Sequence, residues 1–278
     1  MSQGVLDLWE RLARPFRTPK ASPAPPKAKR PLTPAATKPP AAEPPAAEPR
    51  TVEIIALPRG PTEVEWRRSS RARRASLRID PRGGAVIVTL PTRASRKSGM
   101  ALLMGHADWV AAHLAALPGH IAFADGAVVP LHGIECRIHH TGPRGRVWLD
   151  GRQINVGGDP AFLPRRVTDF LRAEARRELS ALALEKAAMA GLQPRRVSVK
   201  DTRSRWGSCA SDRSLAFSWR LIMAPRFVQD YVAAHEVAHL RHMNHGPQFW
   251  ALVGELTPHT EAAMVWLRSD GPRLLRIG

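Results

Sequence analysis

An α+β fold is expected for the ordered part of this chain, with a β-rich segment first and a helical segment carrying a compact histidine motif after it. Three observations predict it. Short runs of alternating polar and apolar residues, divided by Pro, Gly and Asp, fill most of residues 51–158. A long run with helical spacing, Phe162 to Ala190, stops at Gly191. Finally, a second set of short runs leads into a proline-initiated helix containing His235-Glu236-Val237-Ala238-His239.

Taken in order, residues 1–17 read as a short amphipathic helix, with Val5, Trp9, Leu12 and Phe16 at helical spacing and basic residues at its far end. Such a helix suits docking on a partner or on a membrane surface. Residues 18–50 are a Pro/Ala/Lys linker, too poor in large apolar side chains to offset the entropy of ordering, and a disordered, semi-rigid spacer is expected. A β-rich domain follows over residues 51–158. Its strands are Val52–Ile55, Thr62–Trp66 and Ala75–Ile79, the last returning through the turn Asp80-Pro81-Arg82-Gly83-Gly84 into Ala85–Leu90 as a hairpin. A helix is expected from about Ser95 to Leu117, then strands near Val128-Val129, Glu135–His139, Arg146–Leu149 and Gln153–Val156.

The second domain is expected over residues 159–278. It opens on the long helix, with Phe170, Ala173 and Leu179 inward and arginines outside. A small antiparallel sheet follows, from Val197–Val199, Arg205–Cys209 and Leu215–Trp219, and Pro225 opens the last helical part.

The formal charge of +18 and a pI near 11.4 exclude an acidic, disordered type of chain and favour anionic partners: nucleic acid, a nucleotide or a membrane surface. Frequent Ala, Arg and Pro describe an arginine-coated soluble protein equally well, so charge by itself does not choose a partner. Two cysteines, Cys136 and Cys209, build neither a disulfide framework nor a four-cysteine zinc site, and they fit a reducing compartment. No apolar window is long enough to span a bilayer, so no transmembrane segment is expected. The N-terminus lacks the continuous apolar core of a secretory signal. A cytoplasmic location is the expectation.

The histidine motif carries the chemistry. Residues four apart on an α-helix share a face about 6 Å apart, so His235 and His239 can aim ring nitrogens at one ion. Glu236 projects to the side where water on that ion would sit. Zinc lowers the pKa of such water to about 7, and a carboxylate beside it serves as general base. One Zn2+ per chain is therefore expected, with Glu236 catalytic. A third protein ligand is needed. His242 shares the helix face, but seven residues place it about 10 Å from His235, whereas nitrogens on one tetrahedral zinc are about 3.3 Å apart. His245 avoids the problem if the helix stops at Met243-Asn244, with asparagine in the left-handed conformation, and a new helix starts at Gly246-Pro247. The spacing then equals that of the metzincin pattern, with His242 where that pattern has glycine. Glu255 or Glu261 from the next helix is the other solution.

Further residues resemble a known family. Arg205-Trp206-Gly207-Ser208-Cys209, Trp219-Arg220-Leu221 with Ala224-Pro225, Tyr231-Val232 before His235, and Asn244-His245 with Phe249-Trp250 resemble the YgjP-like metallopeptidase family. The similarity runs from about Val52 to Trp266 and takes in the Arg-rich strand around Arg67 to Arg78, Asp108-Trp109 and Val129-Pro130-Leu131-His132-Gly133. The resemblance implies a zincin-like catalytic core, ligation by His235, His239 and His245, and a catalytic Glu236. It also implies kinship with SprT-like proteases, some of which act on proteins attached to DNA. Val237 stands where the family usually has leucine, a packing change. Ser218 stands where asparagine is usual, which removes whatever hydrogen bond that asparagine makes.

The candidate substrate-contacting residues are Arg205, Trp206, Ser208, Arg220 and Tyr231. As an edge strand, Arg205–Cys209 would pair with an extended peptide, and Arg205 would hold a phosphate or a carboxylate. A structural role is the alternative, with Trp206 in the core, Gly207 allowing close backbone approach and Cys209 a small buried hydrophobe. The leading expectation is a zinc-dependent hydrolase acting on peptides or proteins. The rival keeps the metal and changes the bond, hydrolysing nucleoside triphosphates with help from Arg67, Arg68, Arg71, Arg73, Arg74, Arg205 and Arg220. A third, non-enzymatic reading has the basic strand face bind nucleic acid, weakly and without reading sequence, with affinity falling steeply as salt rises.

Overall fold

The computed structural model describes residues 51–58, 60–202 and 205–278. The expected helix at 1–17 and linker at 18–50 lie outside these residues. The described chain is α+β, with three small sheets and seven α-helices. By their contacts the described residues form two compact units, one of residues 51–79 and 85–111, the other of residues 80–84 and 112–278.

The smaller unit holds a four-stranded sheet in the order β1-β2-β4-β3, with β1 Thr51–Leu57, β2 Gly60–Ser69, β3 Ser76–Ile79 and β4 Val86–Pro91. Strands β2 and β4 run parallel, and β1 and β3 pair antiparallel on either side. Val64, Trp66, Leu77, Val86, Val88 and Leu90 are buried between this sheet and its helical cover. Helix α1, Arg96–Gly105, is capped by Ser95, whose hydroxyl accepts from the Ser98 N–H. It approaches the sheet through Gly99, where an added Cβ would fall 2.8 Å from Leu90 and Trp66. The single helix expected from Ser95 to Leu117 is two, α1 and α2 (Ala107–Ala115). The break falls at His106, whose N–H and ring nitrogen both turn back onto the Leu102–Met104 carbonyls.

In the larger unit, a second sheet has the order β5-β6-β8-β7, from β5 Val128–Leu131, β6 Ile134–His140, β7 Val147–Asp150 and β8 Gln153–Val156. The β5–β6 hairpin turns on His132 and Gly133, both left-handed at φ 54 and 79, the geometry that matches strand twist in a two-residue turn. Their N–H groups donate to the carbonyls of Ile222 (2.8 Å) and Met223 (3.0 Å). That pins the hairpin to the 3-10 turn Trp219–Met223, just ahead of the histidine-bearing helix.

The long helix α3 is Leu163–Met189 and ends as expected. Gly191 is left-handed at φ 63, Leu192 N–H reaches the Ala187 carbonyl, and Gly191 N–H reaches that of Ala188, a Schellman closure. Its buried stripe is Val167, Leu171, Ala175, Leu179, Ala183 and Lys186. Ala173, expected inward, is exposed; counting by four from Leu163 rather than by three from Phe170 gives the observed face. The third sheet, order β10-β11-β9, is built from β9 Arg196–Lys200, β10 Gly207–Cys209 and β11 Ser214–Ser218. It is mixed, not antiparallel as expected. The β10–β11 hairpin puts β11 in the centre, and β9 runs parallel along its other side, leaving β10 at the edge.

Helices α4 (Arg226–Ala238), α5 (Pro247–Leu256), α6 (Thr260–Ser269) and α7 (Gly271–Leu274) complete the unit. One core joins β5, β6 and β8 to α3, β11, α4, α5 and α6, through Val129, Ile138, Ile154, Leu171, Phe217, Val232, Phe249 and Met264 among others. The sequence-based boundary at residue 158 thus falls inside this unit. No helix of the described residues is long and apolar enough to cross a membrane.

Candidate metal centre

Helix α4 is buried over nearly its whole length, from Val228 to Ala238. A helix apolar on all sides is a core helix, and this one carries a glutamate and a histidine inward. Buried polar groups such as these must find partners or ions. Gln229 anchors its start, donating to the carbonyls of Ala224 (2.7 Å) and Ile222 (3.2 Å). Asp230 anchors its middle through the buried Lys186, whose ammonium lies 2.6 Å from the carboxylate and 2.7 Å from the Leu256 carbonyl. The Thr257 hydroxyl also donates to Asp230. This joint ties α3, α4 and the end of α5 together just before the histidines.

The helix ends at Ala238, earlier than the expected Met243-Asn244. Leu240 and Arg241 N–H groups turn back onto the Val237 and Ala238 carbonyls, a tightened last turn. Asn244 is not left-handed; His132 and Arg213 are the described non-glycine residues that are. The stop comes from the tightened turn and not from asparagine. The new helix begins at Pro247, as expected. His245 therefore comes from the loop between two helices.

His235, His239 and His245 present ligand atoms that all lie within 4.8 Å of one another. His245 Nε2 is 3.3 Å from His235 Nε2, the spacing of about 3.3 Å expected for nitrogens on one tetrahedral zinc. Their other nitrogens are engaged from behind. His239 Nδ1 is 3.0 Å from the His242 carbonyl, and His235 Nδ1 is 3.4 Å from the Tyr231 hydroxyl. These contacts fix the His235 and His239 rings and turn their Nε2 atoms to the centre, as metal-binding histidines require. Burial, then the neighbouring histidine charges, holds His235 well below the ordinary imidazole range. Burial also lowers His239, with the His242 carbonyl opposing. Neutral imidazoles are the ligating form, so the donor set fits a metal ion. Phe249 packs against all three rings, with centroids 4.6–5.0 Å away, and Trp250 flanks His235 and His245.

Glu236 is buried beside the cluster, and burial pushes its carboxyl up to about 8 against the opposing charge of Arg205. It presses on β10 at Gly207. Cys209 shares that face and also feels Glu236; burial first, then Glu236, raises its thiol to about 11, so it is no nucleophile.

The other expected residues fall in different places. Arg205 is exposed, and its backbone carbonyl accepts from the Thr202 hydroxyl at 2.6 Å. Ser208 lies on the opposite face of β10 from Gly207 and Cys209. Trp206, Arg220 and Tyr231 are not open to substrate. Trp206 is buried against Gly271. Tyr231 is buried behind His235. Arg220, 1% exposed, lies 2.6 Å from Asp201, donates to the Ile277 carbonyl and stacks 4.2 Å from the Trp219 ring centre. The Ser218 hydroxyl is buried without a partner among the described residues. Glu255 and Glu261 are exposed and outside the cluster. Phe249 and the Lys186–Asp230 joint went unassigned from sequence; a lysine inside an apolar stripe was the signal for the latter.

None of the curated proteins matches the chain. Among solved structures, the chain is similar to the metallopeptidase zymogen abylysin of Pyrococcus abyssi, at 15% identity and a TM-score of 0.30, covering 33% of this chain and 95% of that one. The family profile of the YgjP-like metallopeptidase domain matches residues 73–270, an extent that spans the histidine cluster, Glu236 and all three strands of the third sheet. The chain belongs to the YgjP-like metallopeptidase family.

Proposed function

We propose that this chain is a zinc-dependent metallopeptidase with a zincin-like core, in which His235, His239 and His245 hold one zinc ion and Glu236 is the general base. The observation that carries this reading is the meeting of three imidazoles, two of them backed, with a buried carboxyl one residue from the first of them. When bound, zinc supplies Lewis acidity, polarising a carbonyl and acidifying water.

Glu236 then does the proton work. Burial raises its carboxyl and Arg205 opposes that; a divalent cation held by the three histidines would favour the ionised form further. It accepts a proton from the attacking water and returns it to the leaving amine. Phe249 and the apolar length of α4 cover one side of the histidines, and the half-buried His239 and His245 leave the other side open to water and substrate. The outer edge of β10 offers backbone groups to an extended peptide. Arg205, exposed and close enough for its charge to reach Glu236, suits a substrate carboxylate. Two cysteines, both unpaired, suit action in a reducing compartment such as the cytoplasm.

Incubating the zinc-loaded protein with a casein-type protein panel and with nucleoside triphosphates tests the substrate class. Chelator-sensitive peptide release is expected. Phosphate or pyrophosphate release without proteolysis would overturn the peptidase reading and make the bond a phosphoanhydride.

A further inference from the structure

The smaller unit has a charge distribution that the catalytic reading does not use. Strands β2 and β4 are parallel neighbours ending in register at Ser69 and Pro91, so the turns that follow them leave the same end of the sheet. Each closes at once, Ala72 N–H onto the Ser69 carbonyl and Ala94 N–H onto that of Pro91. Arg68 holds the pair together, donating to the carbonyls of Thr92 (2.8 Å) and Ala94 (3.1 Å). The first turn carries Arg71, Arg73 and Arg74, the second Arg93, and Arg96 and Lys97 follow in the first turn of α1.

No acidic residue occurs between Trp66 and Ile79, or between Val86 and Ala107. Of the unit's carboxylates, Glu65 takes Arg67 at 2.7 Å, Glu53 takes Arg96, which also covers the buried Trp66 ring at 4.2 Å, and Glu63 and Asp108 lie outside both turns. The side chains of Arg71, Arg73, Arg93 and Lys97 are exposed and have no ion pair or hydrogen bond with a described residue. Arg96 and Lys97 also stand where helix electrostatics favours anions, since α1 has no acidic residue in its first turn. No local partner among the described residues accounts for Arg71, Arg73, Arg93 and Lys97 at that end; an anionic partner does.

We propose that this sheet end, built from the β2–β3 and β4–α1 turns, docks the phosphodiester backbone of nucleic acid without reading bases. Guanidinium forks on two adjacent turns match a row of phosphates. No aromatic residue stands in either turn to stack on a base, and Trp66 is buried beneath Arg96. A bilayer is the poorer fit, because no large exposed hydrophobic side chain lies in these turns to enter it.

The test measures anisotropy of a short labelled DNA duplex with the full chain across a salt series. Four phosphate contacts give a slope of about −3.6 in log affinity against log salt, a fall of roughly a hundredfold between about 50 and 200 mM. Arg71→Glu with Arg73→Glu and Arg93→Glu is expected to weaken binding more than tenfold and flatten that slope. Arg152→Glu with Arg176→Glu and Arg268→Glu, the same change of charge on the larger unit, is expected to leave it within about twofold. Zinc content and melting temperature should stay unchanged in both. If the first variant fails to fold, Arg93→Gln with Lys97→Gln carries the same test with a severalfold loss expected. Equal weakening by the two charge reversals, no weakening by the first, or capture by phosphatidylserine vesicles without duplex binding would each overturn the proposal.

Discussion

The side chain of Glu236 lies against the backbone of Gly207 so closely that a Cβ on that glycine would fall 2.5 Å from both its Cγ and its Oε1. The glycine is required by this approach and not by its backbone angles. Strand β10 and the carboxylate are therefore positioned by each other, which links the edge proposed for substrate with the proposed general base. Gly207→Ala must displace one of them. A shift of about 1 Å at a reacting group costs on the order of a hundredfold in rate. The variant is expected to lose about that factor in kcat while keeping its zinc, as steady-state kinetics and metal analysis together would show.

The contacts behind the imidazoles predict a graded loss of metal. Tyr231→Phe removes the hydroxyl 3.4 Å from His235 Nδ1 and should weaken zinc about tenfold, the lower end for such supporting groups. His245→Ala removes a proposed ligand and should weaken it far more. Glu255→Gln and Glu261→Gln should change nothing. Competition with a chromophoric chelator reads all four, and retention of zinc by His245→Ala would move the third ligand elsewhere.

The joint at Lys186 should show in stability. Replacing Lys186 by alanine strands the Asp230 carboxylate and the Leu256 carbonyl, and breaking a buried pair from one side costs about 3–5 kcal/mol. The double variant Lys186→Met with Asp230→Asn should cost less, because no unpaired charge remains. Denaturant unfolding of the zinc-free proteins measures the difference.

Asp201 gives a pH signature. Burial alone would raise its carboxyl, but Arg220 and Arg82, with hydrogen bonds from Arg220 and Trp219, hold it below the ordinary 3.8. A carboxyl depressed on folding stabilises fully above the unfolded value and loses that contribution as pH falls through the folded one. The stability gap between wild type and Asp201→Asn should be widest above about pH 5 and close progressively below pH 3.8. A gap independent of pH would mean that the variant acts through packing.

Much of this was legible from residue order. The strands were readable because alternation and turn residues agree locally, as at Leu77-Arg78-Ile79 followed by Asp80-Pro81. The end of α3 was readable because Gly191 alone supplies the left-handed residue its closure needs. The three histidines were readable because helical spacing ties His235 to His239 and geometry excludes His242. What was not legible depends on contacts distant in sequence. The parallel placement of β9 beside β11 follows from packing, not from any residue of β9. Arg220 reads as a substrate group until Asp201, nineteen residues earlier, is seen to hold it. Tyr231 likewise reads as a substrate group until its burial and its hydroxyl behind the His235 ring are seen.

The most direct test of the central claim compares wild type with Glu236→Gln, each assayed for bound zinc and for turnover on the same protein substrates. Equal zinc and a turnover lower by at least about a hundredfold, the scale of general acid–base catalysis, are expected in the variant. Undiminished turnover, or loss of zinc along with activity, would contradict the assignment of Glu236 as the base beside a metal held by His235, His239 and His245.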